Sequence, residues 1–105
     1  LKSDTTDYGI RWLTDYSDEY LVYNPKVVAT DDSVIILWQK NKYDTGELVD
    51  SYYTVLGADG SVKKPTTSIG KVWLFRNEDL IYLDGKIYWT IPDGNSSLIT
   101  YCFTP

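Results

Sequence analysis

A strand–turn–strand unit that occurs twice constrains this chain more than any other feature. Residues 27–39 pass through Val27-Val28-Ala29-Thr30, the acidic turn Asp31-Asp32, and the apolar run Val34-Ile35-Ile36-Leu37-Trp38. Residues 80–91 pass through Leu80-Ile81-Tyr82-Leu83, the turn Asp84-Gly85, and Ile87-Tyr88-Trp89. Each unit is followed by a polar loop with Asp and Gly, then by a Tyr-containing strand at 51–56 or 97–103. The offset is about fifty residues, within the range of structural repeats. Short apolar runs rich in β-branched residues and closed by turn residues predict strands covered on both faces. A single unit of this size cannot shield its own apolar face, so Trp38 and Trp89, which fall at matching places, are expected in a shared core.

The rest of the chain fits an all-β reading. Tyr8 to Thr14 reads as a short strand. Tyr20-Leu21-Val22-Tyr23 is brief, and Asn24-Pro25 predicts a turn after it. Asp59-Gly60 predicts a tight hairpin turn. Residues 61–64 then form a short outer strand that Pro65 stops, Lys and Pro being common at exposed sheet edges. Residues 72–75 predict an irregular connection or short strand. No segment keeps helical periodicity. The expected organisation is a single β domain or fragment over 1–105. It holds a first blade-like unit at 24–67 and a second at 72–105, the latter open to completion by strand 8–14.

Composition narrows the chemistry. Hydrophobic residues make up 43% and charged residues 24% of the 105, the balance of a folded domain. Aromatics reach 15%, with ten Tyr and four Trp, which favours pleated, half-buried surfaces and also ligand-binding ones. The net charge of −5 opposes phosphate backbones, so no nucleic-acid partner is expected. No apolar stretch reaches the roughly 20 residues of a membrane span. The opening Leu1-Lys2-Ser3-Asp4 has neither an initiating Met nor a signal-peptide core, and reads as processed or excised from something longer.

Histidine is absent, and with it the usual general base and commonest metal ligand. The single cysteine, Cys102, cannot close an intrachain disulfide and reads as a small strand hydrophobe. Of the carboxylates that could form a glycosidase-like pair, Asp31, Asp32, Asp84 and Asp93 sit in turns and Glu47 in a loop, where turn chemistry accounts for them. Asp44-Thr45-Gly46-Glu47 and Asp93-Gly94-Asn95-Ser96 offer oxygen ligands without the spacing of a calcium loop. Asn95-Ser96-Ser97 fits the N-glycosylation pattern. No enzyme activity, cofactor or metal site is therefore expected. The binding candidates are aromatics: Trp12, Tyr43, Tyr52, Trp73 and Tyr88.

The two Asp-turn…Trp units and residues 56–60 resemble bacterial extracellular β-propeller repeat proteins, over residues 8–103. The chain lacks the Trp-Asp dipeptide, the Gly-Gly pair and the Ser-x-Asp-x-Gly-x-Thr-Trp box that mark particular propeller families. The resemblance implies antiparallel four-stranded blades, a partial β-propeller. Because a propeller has typically four to eight blades, it also implies self-association or missing blades of a longer parent chain. The alternative fold is a β-sandwich, which the turn spacing also fits. The expected function is a non-catalytic binding or interaction module of a secreted or surface protein, with glycan or protein as ligand. An accessory fragment of an extracellular hydrolase and a purely structural repeat are the alternatives.

Overall fold

The computed structural model describes residues 13–74, 79–92, 94 and 96–105, which are all strand, turn and irregular chain. The apolar runs of the first half form β1 (Tyr20–Ala29), β2 (Ser33–Lys42), β3 (Leu48–Gly57) and β4 (Val62–Gly70). Those of the second half form β5 (Ile81–Leu83), β6 (Lys86–Pro92) and β7 (Leu98–Phe103). Each half is an antiparallel meander in chain order: a four-stranded sheet β1-β2-β3-β4 and a three-stranded sheet β5-β6-β7. Neither sheet closes on itself.

Strand alternation decides what each face does. Along β2, Ile35, Leu37, Gln39 and Asn41 point one way and are buried. Along β6, Ile87, Trp89 and Ile91 point one way and are buried, between exposed Lys86 and Pro92. Ile35 and Leu37 of the first row meet the second row, with Tyr53 and Leu74, in one core. Val28, Val55 and Ile69 border it from the first sheet, and Tyr101 and Phe103 from the second. The two hairpins thus lie in separate layers over a single apolar interior.

The hairpin turns show how the halves correspond. Thr30 N–H donates to Ser33 C=O at 2.9 Å, leaving Asp31-Asp32 as a two-residue loop. Leu83 pairs with Lys86, leaving Asp84-Gly85 as a second two-residue loop. Asp84 and Gly85 both have positive φ, 55° and 77°, the type I′ geometry whose twist suits paired strands. Counted from the turns, Ser33 falls on Lys86. The row Val34, Ile36, Trp38 therefore falls on Ile87, Trp89, Ile91.

Three expectations change. Residues 20–29 form one strand rather than a short run and a turn, because Asn24-Pro25 is absorbed as a bulge. β4 continues through Pro65 to Gly70, which an edge strand permits because an outward position needs no N–H. Residues 58–61 join β3 to β4, with Gly57 N–H donating to Ser61 C=O around the three residues 58–60 and Gly60 at φ 85°. That is the hairpin with a left-handed glycine rather than a two-residue turn. Trp89 enters the core as expected. Trp38 is equally buried but on the opposite face of its sheet, against Tyr52 and beneath Tyr16. Residues 72–74 form the irregular connection expected of them. Residues 8–12 of the predicted first strand lie outside the described residues, and 13–14 carry no strand.

Candidate functional site: an aromatic cleft at the mouth between the sheets

β1 pairs with β2 from Tyr20 to Tyr23, then resumes at Lys26 opposite Leu37. Asn24 and Pro25 together oppose Trp38, the two-against-one count of a β-bulge. Pro25 has no N–H to leave unpaired there. Asn24 sits at φ 51°, a left-handed conformation that Asn tolerates better than most side chains.

What holds the bulge is Gln39, a fully buried side chain on β2. Its Oε1 accepts from Asn24 Nδ2 at 3.0 Å and from the Leu74 backbone N–H at 2.6 Å. Its Nε2 donates to Asn41 Oδ1 at 3.3 Å, and Asn41 Nδ2 donates to Gly46 C=O at 3.0 Å. This amide chain ties the bulge, the segment 72–74 and the β2–β3 loop to one strand. Two further bonds fix the same segment. Trp89 Nε1 donates to Trp73 C=O at 2.9 Å, and Ser51 Oγ donates to Val72 C=O. Among the described residues every buried side-chain nitrogen and oxygen has a partner. A satisfied polar network of this kind rigidifies what it joins.

A cavity of about 570 Å³ opens here, lined by Tyr23, Asn24, Pro25 and Trp73. Tyr23 shares the inward face with its pair residue Gln39 and stays 43% exposed, and Trp73 stays 41% exposed. Two large aromatic side chains are thus half in water on a backbone held by buried hydrogen bonds. Among the described residues, none of those lining it carries a charge. The chemistry on offer is an apolar ring surface beside amide and phenol hydrogen-bonding groups, suited to a neutral ligand with both apolar faces and hydroxyls.

The predicted binding residues scatter. Trp73 lies in this cleft. Tyr43 is exposed in the β2–β3 loop, where its backbone N–H donates to Glu19 C=O at 2.8 Å. It lines a separate cavity of about 570 Å³ with Asp18, Glu19, Tyr20, Lys42 and Asp44. Tyr52 packs on Trp38 at 6.0 Å between ring centroids, on the outer face of the first sheet. Burial, aided by the Asp50 carboxylate, pushes its phenol pKa above the ordinary tyrosine value. Tyr88 lies on the outer face of the second sheet opposite its pair residue Cys102, whose neighbouring thiol raises its phenol pKa. Trp12 lies outside the described residues. Tyr23, the partner of Trp73, is not among the candidates the sequence offers. Its signal is an Asn-Pro pair inside an otherwise continuous strand pattern, the mark of a bulge as much as of a turn.

The carboxylates sit as their turn positions predict. Asp32 accepts from Ser33 Oγ at 2.9 Å and lies 3.2 Å from Lys63 Nζ, and these contacts hold it below the usual carboxylate range. Asp59 accepts from Ser61 Oγ at 2.6 Å and from Ser61 N–H at 3.0 Å, with the same effect. Asp93 lies outside the described residues. Among those described, no three His, Cys, Asp or Glu side chains gather as a metal-ligating group. Comparison with protein-family models, curated proteins and solved structures finds no match to this chain.

Proposed function

We propose that the chain is a non-catalytic binding module of a secreted or surface protein, and that it holds a glycan in the cleft between Tyr23 and Trp73. The observation that carries the reading is the pair of half-exposed aromatics on a backbone pinned by the buried side chain of Gln39. Aromatic faces stack on the apolar face of a sugar ring, and a rigid platform keeps the ordering cost of binding low. The lining is uncharged among the described residues, which favours a neutral sugar over a nucleotide or an acidic peptide. The secreted or surface setting comes from the resemblance to extracellular repeat proteins.

The scaffold under this reading is a pair of adjacent propeller-like blades. Two features support it over a sandwich. Each sheet is a meander in chain order, as in a blade. The faces also meet front to back. The Val34/Ile36/Trp38 row of the first sheet matches the Ile87/Trp89/Ile91 row of the second, yet only the latter lies between the sheets. Two hairpins related by a two-fold axis would place matching rows against each other.

A glycan array probed with the intact chain, followed by calorimetry on the sugars retained, tests the function. Trp73→Ala is expected to weaken binding by about 1 kcal/mol or more, roughly five- to tenfold, with the fold intact. The Trp73 carbonyl that anchors Trp89 is backbone and survives the change. Tyr23→Ala is expected to act in the same direction, and Tyr43→Ala to leave binding unchanged. Retention of no glycan, or equal loss from Tyr43→Ala, would sink the reading.

A further inference from the structure

The contact between the two sheets is one of unlike surfaces, and each sheet has an outer face equivalent to one already used inside. On the first sheet, Val27 pairs with Ile36, and Val34 with Leu56, which pairs with Val62. These five form an apolar band across all four strands, with Val27 67% and Val62 52% exposed. Val34 and Ile36 stand where Ile87 and Trp89 stand in the second sheet, and those two are buried. On the second sheet, Ile81 pairs with Tyr88, Leu83 with Lys86, and Leu98 with Pro92, all on the face turned away from the core. Ile81 is 61% and Leu98 74% exposed. Ile81 and Tyr88 stand where Val28 and Ile35 stand in the first sheet. There Ile35 is buried in the core and Val28 packs against it.

We propose that a second copy of this chain covers these faces. The outer face of β5–β7 in one copy seats on the outer face of β1–β4 in the next, repeating between molecules the packing that joins the halves within one. The inference uses neither the cleft nor its ligand. Two arguments favour a second copy as the occupant. The interface would continue an established one, since the chain already holds one surface of each kind pressed together. Both outer faces carry exposed apolar side chains among polar ones, the first as a band across all four strands, and exposed apolar patches that span a sheet mark association surfaces. The molecule measures 48 × 39 × 20 Å. Two packed sheets lie about 10 Å apart, so the short axis fits the sheet stack and the broad faces are the outer ones. The contact is limited by β5–β7, three strands about 4.8 Å apart and at most seven residues long, so it falls short of the roughly 800 Å² per partner of a standard interface and is expected to be weak. Tyr16 lies over only one end of the first face, where its hydroxyl accepts from Trp38 Nε1 at 3.1 Å. Such a head-to-tail contact does not pair a surface with itself, so it produces rings or open stacks rather than only dimers.

The test is sedimentation of the chain from about 1 μM to about 1 mM, the span over which weak interfaces form, with two double variants. Ile81→Asp/Leu98→Asp blocks the three-stranded face, and Val27→Asp/Val62→Asp blocks the four-stranded one. The wild type is expected to sediment above monomer mass with rising concentration. Each variant alone is expected to stay monomeric, and a one-to-one mixture to form a complex of two chains through the one intact face each retains. An unmodified chain that stays monomeric throughout overturns the proposal. So does a blocked variant that still self-associates, since that requires a face pairing with itself. Cys102, exposed on the three-stranded outer face, supplies a readout on the unmutated protein. Its alkylation rate is expected to fall severalfold over the same concentration range, and a constant rate overturns the proposal whatever the variants do.

Discussion

Gln39 illustrates how one side chain decides a local structure. Buried polar groups persist where their hydrogen bonds are made, because an unmade one costs about 1–3 kcal/mol. Gln39 Oε1 serves two donors, the Asn24 amide and the Leu74 N–H. Replacement by the similarly sized Leu keeps apolar volume and leaves those donors and Asn41 Oδ1 facing a hydrocarbon. Gln39→Leu is expected to lower stability by about 2–4 kcal/mol in urea unfolding, with the slope unchanged. Gln39→Glu restores the acceptor but buries a charge, and is not expected to rescue at neutral pH. Trp89 is the second decisive residue. Its ring meets Tyr101 at 5.1 Å and Phe103 at 6.1 Å, and its indole N–H holds the connecting segment. Trp89→Ala is expected to cost about 3–5 kcal/mol. That approaches the whole stability of a small domain, so loss of the cooperative thermal transition is the expected readout.

At the scale of the element, β1 departs furthest from its sequence pattern. An Asn-Pro pair ordinarily ends a strand, yet the partner strand β2 supplies a continuous edge on which both flanks of the pair can register. The bulge costs one unpaired residue and keeps the ladder on either side. Its geometry makes a graded prediction. A β-branched residue at the left-handed position is strained by about 1–3 kcal/mol, so Asn24→Val is expected to destabilise by that much plus the lost bond to Gln39. Asn24→Gly relieves the φ constraint and loses only the bond, so its stability is expected to fall between those of the valine variant and the wild type in the same urea series. Equal losses for both would show that φ plays no part. β4 teaches a related lesson. Pro65 interrupts a central strand but not an edge one, and from the sequence the position of β4 at the edge was only an expectation.

At the scale of the molecule, two sheets share a thin core, and two turns of the first sheet hold carboxylates whose pKa is lowered. Asp32 is held below its ordinary pKa first by Ser33 and then by Lys63, and Asp59 by Ser61. A carboxylate with a lowered folded pKa contributes stability that is complete above its unfolded value, near 4. That contribution is lost as pH falls through the lowered folded values. Thermal midpoints are therefore expected to fall below about pH 4. The double variant Asp32→Asn/Asp59→Asn is expected to show a shallower fall. Both groups are exposed, so the effect is small and is read as a difference in slope. A fall equally steep in the variant would assign acid sensitivity elsewhere.

Local pattern determined most of the secondary structure. The runs at 33–39, 51–56, 86–91 and 98–103 lie in strands because apolar, β-branched and aromatic residues bounded by Asp, Gly and Asn have few other low-energy arrangements. The turn at Asp84-Gly85 was legible for the same reason, since its chemistry lies within two adjacent residues. Trp73 was legible as a candidate because the strand pattern left it outside the ladders. Its partner Tyr23 was not, because its orientation depends on a bulge stabilised by Gln39, fifteen residues away, and on a segment thirty-five residues from that glutamine. Only the tertiary structure decided which face of each sheet turned inward. A strand with apolar residues on both faces has two faces able to bury, and the choice falls to the sheet that comes to lie against it.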